Sequence, residues 1–456
     1  MQIAEIPYFE DSSCYYETVR HLKWPVFLDS SYQGDKPKSP IARFDIIAAE
    51  PFIRCVSDAT GVYVEDQSGR KKVEKFPLEL LKEIMAKYTL TNESLPFMGG
   101  AIGYLSYDLK STSKKHPLIP KMIMGVYDWA VVVDHLNSES WLIKNDFDGG
   151  LGLSWESLQS LFVKEPVGDK QIFSIDGDIK ESLNISSYND KFSKVASYIR
   201  EGDCYQVNLS QKFNVSTRGD SWVFYKKFRG LNKSPYMAYL AYDDFEIMSG
   251  SPEQFIQSRN RAVITRPIKG TRARNSDPVC DKNNLEELSM SLKDKAENLM
   301  IVDLLRNDLA INCELGSIKV EKLFSVESYP NVHHLVSSIT ATLKKDSNNF
   351  ELLNDAFPGG SITGAPKSRA IEIIDELEEH SREIYCGSIV YFSFNQMMDS
   401  NIAIRSMVHK NNTLHFYSGG GLTVDSIAAS EYQEIKDKAL NIINTINFFK
   451  DLNASN

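Results

Sequence analysis

Short apolar runs succeed one another in this chain without the intervening helices that a parallel sheet requires. "DWAVVVDH" (128–135) and "SWLIKND" (140–146) are predicted as a strand pair separated by a few residues, a connection open only to antiparallel neighbours. The segment up to about residue 163 is strand-rich with one clear helix at "PLELLKEIMAKY" (77–88). No regular βαβ alternation follows it. The pattern is that of an α+β protein and excludes a nucleotide-binding parallel sheet. No internal repeat or low-complexity tract interrupts it.

The polar stretch from Lys164 to Ser182, with Pro166, Gly168 and Gly177, is the candidate linker. Beyond it, Phe192, Val195, Ala196 and Ile199 follow helical spacing, with Ser187 and Asp190 as a capping box and Gly202 as the stop. "CYQVNLSQ" then alternates. Tyr205, Val207 and Leu209 share one face; Gln206, Asn208 and Ser210 share the other, which either faces water or lines a site. Two long helices are predicted, "LEELSMSLKDKAENLMIVDLLRND" and "SEYQEIKDKALNIINTINFF". Between them lie a glycine-rich turn with its own helix and three strands.

Acidic residues outnumber basic ones, 61 to 51, for a net charge of −10. That balance argues against nucleic acid or an anionic membrane surface as partner. An anionic small substrate would need a local metal or basic group. Six cysteines contain no CxxC pair, so neither a disulfide framework nor a zinc knuckle is expected. The first residues lack a signal-peptide pattern, and no run of 18 apolar residues occurs. The expectation is a soluble protein of a reducing cytoplasm.

Two acidic pairs stand at i, i+3 on predicted helices: Asp294 with Glu297, and Glu431 with Glu434. Facing each other, they would suit a hard divalent cation; otherwise they are solvated helix faces. "PGGSITGAPKS" is not a phosphate loop, because Ala365 and Pro366 separate its second glycine from Lys367. Gly419–Gly421 form either an anion nest or a sheet corner. Glu253 and Lys269 lie sixteen residues apart, on what read as successive strands of one meander, where an acid and an amine could reach one cleft. No glycine-flanked cysteine or serine of the G-x-[CS]-x-G kind is present, hence no glutaminase elbow.

Nine of these pieces occur in an order that resembles the chorismate-utilising enzymes: "GDCYQVNLSQ", "SPEQF", "RPIKGT", "AENLMIVDLLRND", "HHLVS", "GGSITGAPK", "IAIRS", "SGGGL" and "EYQE". The resemblance is dense over 185–450, the expected chorismate-binding catalytic region. Over 1–163 it is looser, to the N-terminal region of the anthranilate-forming branch. It implies antiparallel sheets forming a β-sandwich core flanked by helices. Water-adding members carry lysine where this chain has Gln206, which points to ammonia as nucleophile. Anthranilate-forming members read PIAGT; the lysine of PIKGT marks the branch that makes 4-amino-4-deoxychorismate, toward 4-aminobenzoate and folate.

By the same resemblance, Lys269 is the nucleophile and Glu253 the general acid. Glu297 and Glu434, with Glu431 and Asp294 nearby, would hold Mg²⁺. Arg405, Tyr385 and Gly421 would bind the enolpyruvyl carboxylate, and Ser361 and His334 would line the ring pocket. A separate glutamine amidotransferase subunit would supply ammonia. Ser30, Pro235 and Tyr236 fall in segments similar to a regulatory tryptophan pocket, or are ordinary strand packing. The rivals are an anthranilate-forming enzyme and a non-catalytic, ligand-binding regulatory subunit of the same fold.

Overall fold

A computed structural model of the chain describes residues 1–32, 41–91, 94–111, 115–147, 152–162, 171–329 and 331–454. Among these residues the strands form two sheets of twelve. The pairings within them are antiparallel. The first sheet runs from Gln2–Ile6 through Glu139–Lys144, Trp129–Asp134, Phe44–Ala48 and Val26–Asp29 to Tyr236–Ala241. It continues through Phe245–Ser251, Ser406–Lys410, Thr413–Leu422, Gln206–Gly219 and Phe173–Glu181. The second runs from Ile268–Ala273 through Val332–Thr342, Ala262–Arg266, Gln254–Arg259, Met398–Asn401 and Ser388–Ser393. Gly100–Leu105, Met122–Tyr127, Ile53–Asp58, Gly61–Asp66 and Gly69–Val73 follow; the twelfth strand of each sheet lies off these paths, Gly364–Ala365 on Gln206–Gly219 in the first and Lys319–Ser328 on Val332–Thr342 in the second.

Period-2 alternation explains how the sheets stack. Ala130 and Val132 point into the layer between the sheets, with Ile46, Leu240 and Val408. Val131 and Val133, one residue out of phase, point the other way into the helix-covered outer face. In the second sheet Ile389 and Tyr391 take the inner layer, while Val390 and Phe392 take the outer. Both faces of each sheet are covered in its middle, so these strands read as unbroken apolar runs. The result is the expected sandwich flanked by helices.

Each sheet draws strands from both 1–163 and 185–450. Val26–Asp29 pairs with Tyr236–Ala241, and Gly100–Leu105 pairs with Ser388–Ser393. A portion of the candidate linker is a strand, Phe173–Glu181, paired with Gln206–Gly219; residues 163–170 lie outside the described set.

Other local expectations change. The helix Ile185–Glu201 is capped by the Asn184 side chain, which accepts from the Ser187 N–H, and not by Ser187 itself. Asn184 does one turn earlier what Ser187 was expected to do, accepting from an orphan N–H of the first turn. Gly202 does end that helix, with φ +86. The two long helices are each two. Ser291 turns out of helix and caps the second piece, giving Pro278–Met290 and Leu292–Asn312. Ala428–Lys438 and Leu440–Ala454 meet at Ala439. Two short helices, Ser13–Val19 and Trp155–Leu161, were not expected. No described helix is long and apolar enough to cross a membrane.

The middle of the second sheet leaves no room at Gly103, where an added Cβ would stand 1.9 Å from the Ile123 carbonyl oxygen. Gly103→Ala must push neighbouring backbones away from each other, not just move a side chain. Overpacking of this kind costs about 1–3 kcal/mol. The denaturation midpoint of this variant is expected to fall, with little change in m-value; a midpoint equal to wild type would contradict the tight pairing.

Candidate active site

The chain passes from the first sheet to the second at Pro252–Glu253, between the strands Phe245–Ser251 and Gln254–Arg259. It passes back at Ile402–Arg405, between Met398–Asn401 and Ser406–Lys410. The two crossings are stitched together. Ile402 N–H donates to the Glu253 carbonyl (3.1 Å), Gly250 N–H to the Arg405 carbonyl (3.0 Å), and the Ser251 hydroxyl to the Ile402 carbonyl (2.6 Å). Glu253 and Arg405 are thereby fixed at one end of the sandwich. Of the expected meander, only Gln254–Arg259 and Ala262–Arg266 pair directly. The strand carrying Lys269, Ile268–Ala273, pairs with Val332–Thr342 instead, placing Thr271 opposite His334.

Lys269 donates from Nζ to the Ser361 carbonyl at 3.1 Å. Burial lowers its pKa and the Lys438 ammonium adds to that, while the Glu297, Glu253 and Glu434 carboxylates oppose. Glu253 is 5% exposed. Burial raises its pKa, against the pull of Lys269 and hydrogen bonds from the Ser361 side chain and the Ile268 N–H. The environment moves the amine toward neutrality and the carboxyl toward its protonated form. These are the states a nucleophile and a general acid need. Gly270 holds the lysine's strand close to the next helix: its φ is +82, and a Cβ there would sit 2.8 Å from Asp294 Cγ.

The two acidic pairs converge. Burial raises Glu297, opposed by Lys269 and Lys293 and assisted by repulsion from Asp294 and Glu434. Burial also raises Glu431, which accepts from the Ser426 hydroxyl at 2.7 Å. Burial pushes Glu434 up as well, but Lys438, at 2.7 Å, outweighs it and leaves the pKa lowered. Asp294 accepts from Arg272 (3.2 Å). Lys438 and Lys293 were missed in the sequence, although each stands at i±4 from an acidic residue already singled out. Among the described residues no three His, Cys, Asp or Glu side chains close into a metal cluster. The donors nevertheless fit Mg²⁺ in kind, being hard carboxylate oxygens, few in number, two of them now paired with Lys293 and Lys438.

The other end of the cleft is cationic. Burial lowers the Arg405 pKa, and no carboxylate among the described residues offsets it. His334, 2% exposed, is pushed down to about 3 by burial, then by Arg405 and His333, so it is neutral; its Nδ1 meets the Thr271 hydroxyl at 2.8 Å. Tyr385 is buried and stacks on Tyr417 with ring centroids 5.8 Å apart. A partly buried guanidinium without a carboxylate is a ready anion site, and its planar fork suits a second carboxylate.

Gln206 and Asn208, on the polar row of their strand, are buried instead of facing water. Tyr205 and Asn208 donate their N–H groups to the carbonyls of Ala365 and Thr363, pinning the Gly359–Pro366 loop to this strand. Gly421 lies opposite Asn208 in a regular strand, so the glycine run is neither nest nor corner. Its missing side chain leaves space for the Gln206 amide. The Gln206 Oε1 is buried without a hydrogen-bond partner among the described residues.

Ser30, Pro235 and Tyr236 belong elsewhere. Pro235 and Tyr236 line a cavity of 510 Å³ with Asp29, Ile46, Ile389 and Asp399; neither Lys269 nor Glu253 touches it. Burial raises the Asp399 pKa to about 7, and the Tyr236 hydroxyl donates to it. Ser30 follows directly on Asp29, and its buried hydroxyl has no hydrogen-bond partner among the described residues.

The family model for chorismate binding enzymes matches residues 38–444. The chain is 40% identical to aminodeoxychorismate synthase component 1 of Escherichia coli K12 over 439 residues, 94% of each chain. It is 33% identical to anthranilate synthase component 1 of Acetivibrio thermocellus over 96% of this chain and 91% of that one. Among solved structures, anthranilate synthase component I from Streptococcus pneumoniae TIGR4 superposes with a TM-score of 0.78 at 31% identity. The match covers 88% of this chain and 92% of that one.

A Cβ at Gly421 would fall 1.9 Å from Gln206 Nε2. The obstacle is the end of a side chain, so Gly421→Ala is expected to keep the fold and to displace the amide. Chorismate turnover should drop about tenfold or more, since misplacing a group in a site by an ångström costs about 10²-fold. Unchanged turnover would separate Gln206 from the chemistry.

Proposed function

The chain belongs to the chorismate-binding enzymes, and from that premise we propose that it converts chorismate and ammonia to 4-amino-4-deoxychorismate through a covalent Lys269 intermediate. The product leads toward 4-aminobenzoate and folate. One observation carries this: an amine shifted toward neutrality and a carboxyl shifted toward protonation share Ser361 between them.

Chorismate is a dianion, and the cleft has a cationic end for one carboxylate. Arg405, with Tyr385 beside it, takes the enolpyruvyl carboxylate. Glu297 and Glu434, with Glu431 and Asp294 beside them, would hold Mg²⁺, which would supply positive charge for the ring carboxylate. His334 and Ser361 flank the ring. The Lys269 amine bonds to ring carbon 2, the double-bond pair shifts, and Glu253 gives its proton to the carbon-4 hydroxyl, which leaves as water. Lys269 is then a secondary ammonium. Ammonia bonds at carbon 4, the pair shifts back, and Lys269 leaves as a neutral amine. The Glu253 carboxylate takes the proton shed by the new ammonium, restoring the starting state. The Gln206 amide has no basic site with which to activate water, which leaves ammonia as the nucleophile.

The ammonia source is a separate glutaminase subunit, since this chain has no G-x-[CS]-x-G elbow. The cavity beside Tyr236 suits an amino acid such as tryptophan, with Asp399 for its ammonium and Ile46 and Ile389 for its ring.

Intact-protein mass spectrometry with chorismate and Mg²⁺ but no ammonia is expected to trap an adduct that maps to Lys269 and disappears in Lys269→Ala. An unmodified lysine together with near-normal turnover in the alanine variant would refute the nucleophile. The pH dependence of kcat/KM should be bell-shaped. The acid limb follows loss of the Lys269 proton at its lowered pKa; the basic limb follows loss of the Glu253 proton at its raised one.

The purified chain should use ammonium and not glutamine, and gain glutamine use when a glutaminase subunit is added. Glutamine-dependent turnover by the chain alone would count against a separate partner.

A further inference from the structure

Behind the cleft lies a buried ion pair that hydrogen-bonds to none of the side chains assigned to substrate or metal and meets them only where its guanidinium faces the Tyr385 ring. Arg382 and Glu378 are 1% and 3% exposed, one turn apart in sequence, and meet through Nη2 (2.7 Å) and Nε (2.8 Å). The remaining guanidinium donors reach two separate segments. Nη1 donates to the Ile362 carbonyl (3.1 Å) and Nη2 to the Asn208 carbonyl (2.8 Å). Glu378 grips the same strand two residues on, accepting from the Ser210 N–H (2.8 Å) and hydroxyl (2.9 Å). The guanidinium also lies over Tyr107 (4.7 Å) and Tyr385 (5.9 Å).

Ile362 follows Ser361, whose carbonyl receives the Lys269 ammonium and whose side chain reaches Glu253. Asn208 stands two residues from Gln206. We propose that Arg382, oriented by Glu378, is a positioning residue: its rigid plane sets the Ser361–Ile362 peptide and the Gln206–Asn208 strand at the separation that lets Lys269 and Glu253 act on one substrate. This rests on the reaction proposed above. A lysine cannot substitute, because a single ammonium lacks the fixed fork that bridges two carbonyls and a carboxylate at once. Nor is the pair needed for charge balance alone, since a neutral pair of similar volume meets that need without bridging anything.

The test uses two variants of the full chain. Arg382→Lys keeps the charge and loses the fork. Glu378→Gln with Arg382→Met removes both charges and so leaves no buried charge unpaired. Each is first shown folded by its thermal melt, then assayed with chorismate, Mg²⁺ and ammonium. In both, kcat is expected to fall about 100-fold, the scale of an ångström of misplacement. KM for chorismate should stay near wild type, because Arg405 is untouched. Wild-type kcat in a folded variant would overturn the proposal. So would a rise in KM that accounts for the whole loss of kcat/KM with kcat unchanged, or loss of folding in both variants, which assigns the pair to stability alone. A wild-type chain that forms no aminodeoxychorismate would instead overturn the reaction on which the proposal rests.

Discussion

Everything at the candidate site depends on two places where the backbone changes sheets. A strand can belong to one sheet and its successor to the other only if the few residues between them cross the apolar layer. Those residues must still satisfy their own polar groups there. The crossings at Pro252–Glu253 and Ile402–Arg405 solve this by bonding to each other. Each therefore needs the other, and a buried carboxyl and a partly buried guanidinium are anchored by the same pair of crossings. The cleft is a by-product of how the sandwich is joined at this end. The loop before Lys367 and the strand beginning at Gln206 then close it from the side.

Within that frame the electrostatics are balanced by proximity. Carboxylates from Glu253, Glu297, Glu431 and Glu434 share a half-buried space with the ammonium groups of Lys269, Lys293 and Lys438. Burial works against the charges of Glu253, Glu297, Glu431, Glu434 and Lys269, but the outcome differs by neighbour. Glu434, in contact with Lys438, stays ionised most readily; Glu253, more deeply enclosed, does not. One environment thus produces an acid, an amine and a set of metal-type donors from ordinary residues.

The site was more legible in the sequence than its supports were. Lys269, Glu253 and the acidic pairs are singled out by the ordered run of nine motifs and the family it resembles; taken one at a time, each motif leaves an ordinary structural reading open. Chemistry placed at i, i+3 also survives small errors in helix ends. Arg382 and Glu378 offered no such signal: an i, i+4 acid–base pair on a helix end reads as a solvated surface pair, and only the packing shows them buried. The polar face of "CYQVNLSQ" was ambiguous for the same reason, since alternation gives the face and not what covers it. The splits at Ser291 and Ala439 were missed because helical spacing continues across both. Sheet order lay beyond reach altogether, because pairings such as Gly100–Leu105 with Ser388–Ser393 join residues nearly three hundred positions apart.

That interleaving governs how the chain is made. As it emerges from the ribosome, Val26–Asp29 has Phe44–Ala48 on one side, but its other edge waits for Tyr236–Ala241. Gly100–Leu105 waits longer, for Ser388–Ser393. Until then both apolar strands present open edges and uncovered faces, the surfaces on which nascent chains associate wrongly. Folding is therefore mostly post-translational, dominated by long-range closure. A nascent chain that stalls early exposes more sticky surface than its length alone suggests.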